Sequence, residues 1–242
     1  MKIALIGYGK MGREVEQIAL QRHHSIALKI SDTNLQNFTI ENLKQCDIAI
    51  EFSTPQSAVS NFETCFAASI PVVCGTTGWY EMLNNVKSLC EQRNASFLYA
   101  SNFSMGVNML FELNKKLASM MNQVSGYHPA ITEIHHIHKK DKPSGTAITL
   151  AKGIIENLGT IEKYALDKSA AGLNEVNIEC IREDEVVGTH FVKYTSDIDS
   201  IQISHEAYSR KGFAAGAVLA AEWLKDKKGF YEMNDFVKDI FK

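Results

Sequence analysis

Short apolar runs alternate with amphipathic stretches along the first hundred positions. Residues 2–6 (Lys-Ile-Ala-Leu-Ile) form an apolar run of strand type, and 13–22 carries Val15, Ile18 and Ala19 on one helical face. A second strand run spans 26–30. Further along, 47–52 reads as a buried strand, 55–68 as a helix, 71–74 as a strand, 79–93 as a helix and 96–100 as a strand. The residues between Asp32 and Asp47 imply a compact connection. This alternation predicts a parallel sheet with helices on both faces, whose ligands bind beyond the carboxyl ends of the strands.

The pattern changes after residue 103. Residues 105–121 predict a long amphipathic helix whose methionines are core or interface filler. The stretch 130–138 alternates as a strand, with Ile131, Glu133 and His135 on one side and Thr132, Ile134, His136 and His138 on the other. A helix is expected over 146–158. Three consecutive strands, 175–182, 186–195 and 200–207, predict a mostly antiparallel sheet and an α+β second domain. Ala and Gly dominate one face of a helix over 212–224, which permits close packing, and 229–241 reads as a short amphipathic helix.

Composition narrows the class. A chain of 242 residues fits one large domain or two smaller ones. Its 45% hydrophobic and 22% charged content are those of a soluble globular protein. A net charge of −3, with no long Lys/Arg run, argues against a nucleic-acid or membrane-surface role. No stretch approaches the roughly 18 apolar residues of a membrane span. A strand beginning at residue 2 leaves no room for a signal peptide. Cys46, Cys65, Cys74, Cys90 and Cys180 are scattered and form no Cys-x-x-Cys pair, the pattern of reduced thiols in a cytoplasmic protein.

Two segments carry chemistry. Gly7-Tyr8-Gly9-Lys10-Met11-Gly12 stands between strand and helix, the position of a dinucleotide fingerprint. Gly7 makes the tight turn there, Gly9 lets a pyrophosphate approach the backbone, and Gly12 lets helix and strand pack closely. Asp32 is placed to hydrogen-bond the adenosine ribose hydroxyls. Gly75-Thr76-Thr77-Gly78 and Ala100-Ser101-Asn102-Phe103 also follow predicted strands, where ordinary turns are the alternative.

The second segment, E-I-H-H-I-H-K-K-D-K-P-S-G-T, runs over 133–146. Histidine exchanges protons near neutral pH, Lys139 and Lys140 add positive charge, and Ser144-Gly145-Thr146 reads as a helix start whose free N–H groups favour an anion. Acid/base groups beside an anion cradle point to chemistry on a small negatively charged molecule. Three readings compete. His136 and His138 can chelate a metal from one strand face, with a third ligand from His128, Glu133 or His205. One His and Lys139 can instead act as proton donors, or the histidines can be a solvated strand end with paired core rings. The glycine fingerprint favours the proton donors, because hydride addition needs a proton source and an anchor nearby, and no metal is expected.

The segment is similar to the signature of the dihydrodipicolinate reductase (4-hydroxy-tetrahydrodipicolinate reductase) family of lysine biosynthesis, H-H-x-x-K-x-D-x-P-S-G-T-A. His135, His136, Lys139, Asp141, Pro143, Ser144, Gly145, Thr146 and Ala147 all fall on it. Supporting matches run from Glu51-Phe52-Ser53 through Gly75-Thr76-Thr77-Gly78, Asn102-Phe103-Ser104 and Val187-Gly188 with His190 to Ile203-Ser204-His205 and Ser209-Arg210.

The resemblance implies an α/β enzyme with a Rossmann-type parallel-sheet nucleotide domain over 1–103, completed by 211–242. An α+β substrate-binding and tetramerisation domain covers 104–210. It implies reduction of 4-hydroxy-tetrahydrodipicolinate, a cyclic imine with two carboxylates, to tetrahydrodipicolinate with loss of water, by a homotetramer using NADH or NADPH. His135 is then a proton donor and acceptor, and Lys139 a proton donor whose pKa is lowered by Lys140 and His138. Substrate contacts fall on His136, Ser144, Gly145 and Thr146. Cofactor contacts fall on Gly7, Tyr8, Gly9, Lys10, Met11, Gly12, Asp32, Gly75, Thr76, Thr77, Ala100, Ser101, Asn102 and Phe103.

The chain departs from the family pattern twice. Its first glycines are one residue closer than in G-x-x-G-x-x-G, and Thr33-Asn34-Leu35-Gln36-Asn37 offers no arginine for a 2′-phosphate. The second departure predicts a preference for NADH, with Lys10 able to restore some NADPH binding. Arg210 is a candidate for the second substrate carboxylate or for a supporting salt bridge. Two rival readings are another nicotinamide-dependent reductase, which would need a different acid/base set or a catalytic cysteine, and a non-enzymatic NAD sensor, which has no use for His135 and Lys139 beside a helix start.

Overall fold

The computed structural model describes residues 1–168 and 172–241. In chain order the elements begin with β1 (Lys2–Ile6), α1 (Lys10–Gln21), β2 (Ser25–Ile30), α2 (Ile40–Leu43), β3 (Ile48–Glu51), α3 (Pro55–Ala67) and β4 (Val72–Cys74). They continue with α4 (Leu83–Gln92), β5 (Ser96–Tyr99), α5 (Met105–Met121), β6 (His128–His135), α6 (Gly145–Asn157), β7 (Lys163–Leu166) and β8 (Glu175–Arg182). The last are β9 (Gly188–Thr195), β10 (Ser200–Ala207), α7 (Lys211–Leu224), β11 (Gly229–Glu232) and α8 (Met233–Ile240). The chain forms two compact units, one of Met1–Met105 with Arg210–Lys242 and one of Gly106–Ser209.

The first unit holds a parallel sheet of order β11-β5-β4-β3-β1-β2. Both faces are covered, which is why its strands read as unbroken apolar runs. On one face Ile3, Leu5, Ile48 and Ile50 pack with Val15 and Ala19 of α1, Ala214 to Leu224 of α7 and Phe236 of α8. The other face buries Ala4, Ile6 and Phe97 with Phe62 and Phe66 of α3 and Trp79. A Cβ at Gly216 would lie 1.7 Å from the Phe103 carbonyl oxygen, so α7 approaches this backbone as only glycine allows. β2 lies on one side of β1 and β3 on the other. The crevice beyond the carboxyl ends of β1 and β3 is therefore a topological switch point.

The second unit holds a five-stranded sheet of order β10-β9-β6-β8-β7. The expected mostly antiparallel sheet is corrected here. β10 pairs with β9 and β9 with β6 antiparallel, but β6 with β8 and β8 with β7 are parallel. A parallel neighbour needs a crossover, and α6 lies in the connection from β6 to β8. Leu110 and Ala118 of α5 and Leu150, Ala151 and Ile154 of α6 share a core with Ile131, Val176, Ile178, Val192 and Tyr194.

Other expectations change in detail. β6 ends at His135, and Lys139 N–H turns back to the His136 carbonyl at 3.1 Å, so His136 and His138 lie in a loop. β7 and a short helix at α2 are additions. The tail is not one helix: β11 pairs with β5, and α8 opens after it with a capping box between Glu232 and Asp235. The helix expected over 79–93 starts as a 3-10 turn at Tyr80–Met82. Of the α5 methionines, Met121 is buried while Met109 and Met120 are exposed.

Candidate active site

Cross-strand register assembles the ionisable groups of the second unit. β6 presents Ile131, Glu133 and His135 on its buried face. Glu133 lies opposite His190 on β9 and Cys180 on β8, while His190 lies opposite His205 on β10. One row across the sheet is thus His205, His190, Glu133, Cys180. His135 and Arg182 stand opposite each other two residues further along.

Glu133 is fully buried. Its Oε2 accepts the Ser144 N–H at 3.0 Å, and its Oε1 accepts from Arg182 Nη2 at 3.0 Å. His135 Nδ1 stands 3.8 Å and His190 Nε2 3.9 Å from Oε2. The two rings meet edge to face at 5.0 Å. Glu133, His135 and His190 offer three ligand atoms within 4.8 Å of one another. Both carboxylate oxygens already accept N–H bonds, one from the Arg182 guanidinium, so Glu133 is held in a buried ion pair.

Burial dominates the titration of this row. It lowers His135 to about 4, although the Glu133 charge pulls the other way, with smaller effects from Lys139, Arg182 and Asp141. It lowers His190 to about 3, aided by His135, and lowers His205 as well. Burial raises Glu133, but the Ser144 and Arg182 hydrogen bonds outweigh it and hold the carboxyl below its usual range. Burial and the neighbouring Glu133 push the Cys180 thiol up to about 12.

The loop after β6 leads into the open start of α6. Ser144 caps α6, its Oγ accepting from Ala147 N–H at 3.2 Å, and the same Oγ lies 3.3 Å from His190 Nε2. The Gly145 and Thr146 amides have no intrahelical partner. A Cβ at Gly145 would meet nothing within 4 Å, so the helix start is open. Lys139 Nζ pairs with Asp141 at 2.8 Å, and His138 with Glu185 at 3.5 Å. The expected cationic field around Lys139 is corrected: its contact partner is a carboxylate. The rings of His136 and His138 are 6.2 Å apart. Sequence alone gives His190 no role and does not single out Arg182. Their signal is cross-strand register, which no local motif contains.

In the first unit the glycine turn sits at the switch point. Gly7 has φ of +90°, and a Cβ there would lie 2.0 Å from the Phe52 carbonyl oxygen; at Gly12 it would lie 2.6 Å from that of Gly7. At Gly9 it would meet nothing within 4 Å, and no side chain caps α1. Gly7, Tyr8, Gly9, Asp32, Ser53 and Thr54 line a cleft of about 360 Å³. Gly9, Lys10, Met11, Gly75, Thr76 and Thr77 line a groove of about 370 Å³ that shares Gly9, Phe52 and Ser53 with it. An open glycine at an uncapped helix start fits a pyrophosphate.

Residues 100–103 line neither space. Asn102 Oδ1 accepts the Ser104 N–H at 2.8 Å, and the Phe103 ring meets Phe52 at 6.1 Å. Beside the cleft, Lys29 pairs with Glu16 at 2.6 Å, the Tyr8 hydroxyl donates to Glu16, and Arg13 and Lys29 each lie 5.0 Å from the Tyr8 ring centre. Sequence reasoning missed both cations. Arg210 is exposed and forms no ion pair among the described residues, so the supporting salt bridge is not formed.

A Rossmann-type sheet with an open glycine turn, joined in one chain to a mixed-sheet unit, defines a two-unit dinucleotide-fold protein. Residues 1–103 match the family model described as dihydrodipicolinate reductase, N-terminus, and 106–237 the one described as dihydrodipicolinate reductase, C-terminus. The chain belongs to the dihydrodipicolinate reductase family. It is 48% identical over 242 residues to the 4-hydroxy-tetrahydrodipicolinate reductase of Christiangramia forsetii, covering 100% of both chains. The enzyme of the same name from Pelagibacter ubique is 33% identical, covering 96% of this chain and 92% of that one. Among solved structures, the dipicolinate-bound dihydrodipicolinate reductase from Paenisporosarcina sp. TG-14 shares the fold, with a TM-score of 0.80 at 20% identity over 97% of this chain and 99% of that one.

Proposed function

We propose that the chain reduces 4-hydroxy-tetrahydrodipicolinate to tetrahydrodipicolinate with loss of water, using NADH or NADPH, in the diaminopimelate route to lysine. The convergence of Glu133, His135 and His190 on the open start of α6, in a chain of this family, carries the reading. The reduced nicotinamide, when bound, supplies hydride. Gly7 to Gly12 and Gly75 to Thr77 would hold its pyrophosphate region, and Asp32 the adenosine ribose.

The Gly145 and Thr146 amides bind one substrate carboxylate by charge-assisted hydrogen bonds, with Ser144 fixing the turn and His136 flanking it. His135 delivers the proton that follows hydride addition. In the free protein its ring is uncharged at neutral pH, with a pKa of about 4. Arrival of a dicarboxylate raises that value, because nearby negative charge favours imidazolium. Lys139, held by Asp141, protonates the hydroxyl, which leaves as water while His135 takes up the proton lost from the adjacent ring carbon, the same proton that it returns after hydride addition.

The finer cofactor preference is NADH. Asp32 lines the cleft and would repel a 2′-phosphate, while Lys29 is engaged by Glu16. The assembly is a homotetramer formed through the second sheet, supported by exposed Ile201 on edge strand β10. A cytoplasmic setting agrees with five free cysteines and with no helix, among the described residues, long and apolar enough to cross a membrane.

The test follows reduced-nicotinamide oxidation with the product of a coupled dihydrodipicolinate synthase reaction. Rapid oxidation that depends on that product is expected, with NADH the better donor. No oxidation despite intact NADH binding overturns the substrate, and NADPH efficiency well above NADH overturns the Asp32 argument.

A further inference from the structure

Glu133 has no exposed surface and no substrate contact in the reading above, yet its carboxylate gathers the site. Arg182 donates to one oxygen and the Ser144 amide to the other, and the facing nitrogens of His135 and His190 lie 3.8 and 3.9 Å away. Enclosing a carboxylate this fully is costly unless partners compensate. Those partners come from β8, from β9 and from the start of α6.

We propose that Glu133 is a positioning residue of the reaction: it holds the His135 ring with Nδ1 toward its carboxylate and fixes Ser144, hence the anion-binding turn of α6, relative to that ring. This rests on the reading that His135 moves a proton and α6 binds a substrate carboxylate.

Nδ1 of His135 is buried, without a hydrogen-bond partner and 3.8 Å from the Glu133 carboxylate, so the charge nearby, acting through space, favours the single proton of the neutral ring on Nδ1. Nε2 is left as the nitrogen that gains and gives up the reacting proton. It faces Gly188, where a Cβ would come within 3.0 Å, so β9 meets the ring there with bare backbone. His190 closes the other side with its ring at 72° to that of His135, and it also reaches Ser144 Oγ. The remaining charges acting on His135 are Lys139, Asp141 and Arg182, with His205 behind His190. The Ser144 and Arg182 hydrogen bonds keep Glu133 ionised, so the carboxylate is ready to balance imidazolium when His135 takes a proton. The same amide bond from Ser144 means that any shift of Glu133 moves the cradle with it.

The experiment compares wild type and Glu133→Gln for turnover of the synthase product across pH, with NADH binding and melting measured in parallel. Glutamine keeps the shape and can still accept one hydrogen bond while removing the charge. A fall in kcat of about 100-fold or more is expected, in the range of lost acid–base assistance. NADH binding should be unchanged. The limb of the pH profile that reports His135 should move to lower pH, because the group that raises its pKa is gone. A merely structural role would lower the melting temperature without moving that limb. Wild-type kcat and an unmoved profile in Glu133→Gln overturn the proposal. Failure of the wild type on this substrate overturns the functional reading instead, which separates the two. Should Glu133→Gln not fold, long-range nitrogen–proton spectra of wild type labelled with nitrogen-15 histidine decide, His135 being assigned by its loss in His135→Gln. The Nδ1–H tautomer is expected, and the Nε2–H tautomer overturns the proposal.

Discussion

His135 and His190 are buried as neutral bases, and this ties stability to pH. Burial lowers them to about 4 and about 3 from an ordinary value of 6.5. The unfolded chain therefore binds protons at these positions before the folded one does. Their contribution is fully present above pH 6.5 and is lost as pH falls through that value toward 4 and 3. Urea midpoints should drop steadily over this window, and His190→Gln should flatten the slope; an unchanged slope would show that His190 does not titrate as described. Much of this chemistry is visible in sequence because it is contiguous: His135, His136, Lys139 and Ser144 to Thr146 fall in one short run. The partners that set its electrostatics are not. Arg182 is 49 positions from Glu133, and only strand pairing brings them together.

At the level of elements, the start of α1 separates binding from stability. Gly9 has φ of −91° and ψ of −147°, outside the main α and extended basins, and open space where a Cβ would go. Gly9→Ala should therefore lower the melting temperature by a few degrees at most while weakening NADH by about tenfold or more, since about 1.4 kcal/mol of lost contact suffices. Calorimetric titration with NADH checks this, and unaltered affinity would place the pyrophosphate elsewhere. Strands with both faces covered, and helices of three turns or more, were legible from their apolar spacing. The four-residue strands β7 and β11 were not, because, though no shorter than β3 to β5, they are mostly exposed or half-buried and lack the unbroken buried run that marks those. The mixed character of the second sheet escaped for a related reason: strand direction depends on the crossover through α6, and the strand pattern itself is the same either way.

The whole molecule divides unevenly along its sequence. The first unit needs Arg210–Lys242 as well as Met1–Met105, and α7 and α8 supply one face of its core through Ala214, Ala217, Val218, Leu224 and Phe236. A chain ending at Ser209 should expose that face, aggregate and lose NADH binding; a soluble truncated chain that binds NADH would contradict it. Two-unit organisation was legible in the change of pattern after residue 103, and the return of the last helices came from family resemblance alone, since an Ala-rich helix carries no mark of the sheet it covers. On the ribosome the same discontinuity becomes a delay. Residue 210 leaves 105 residues after residue 105, roughly 5–20 s later at a synthesis rate of about 5–20 residues per second. For that interval the emerging sheet has one oily side bare, an opening for holding chaperones and a reason for this chain to be sensitive to how fast it is made.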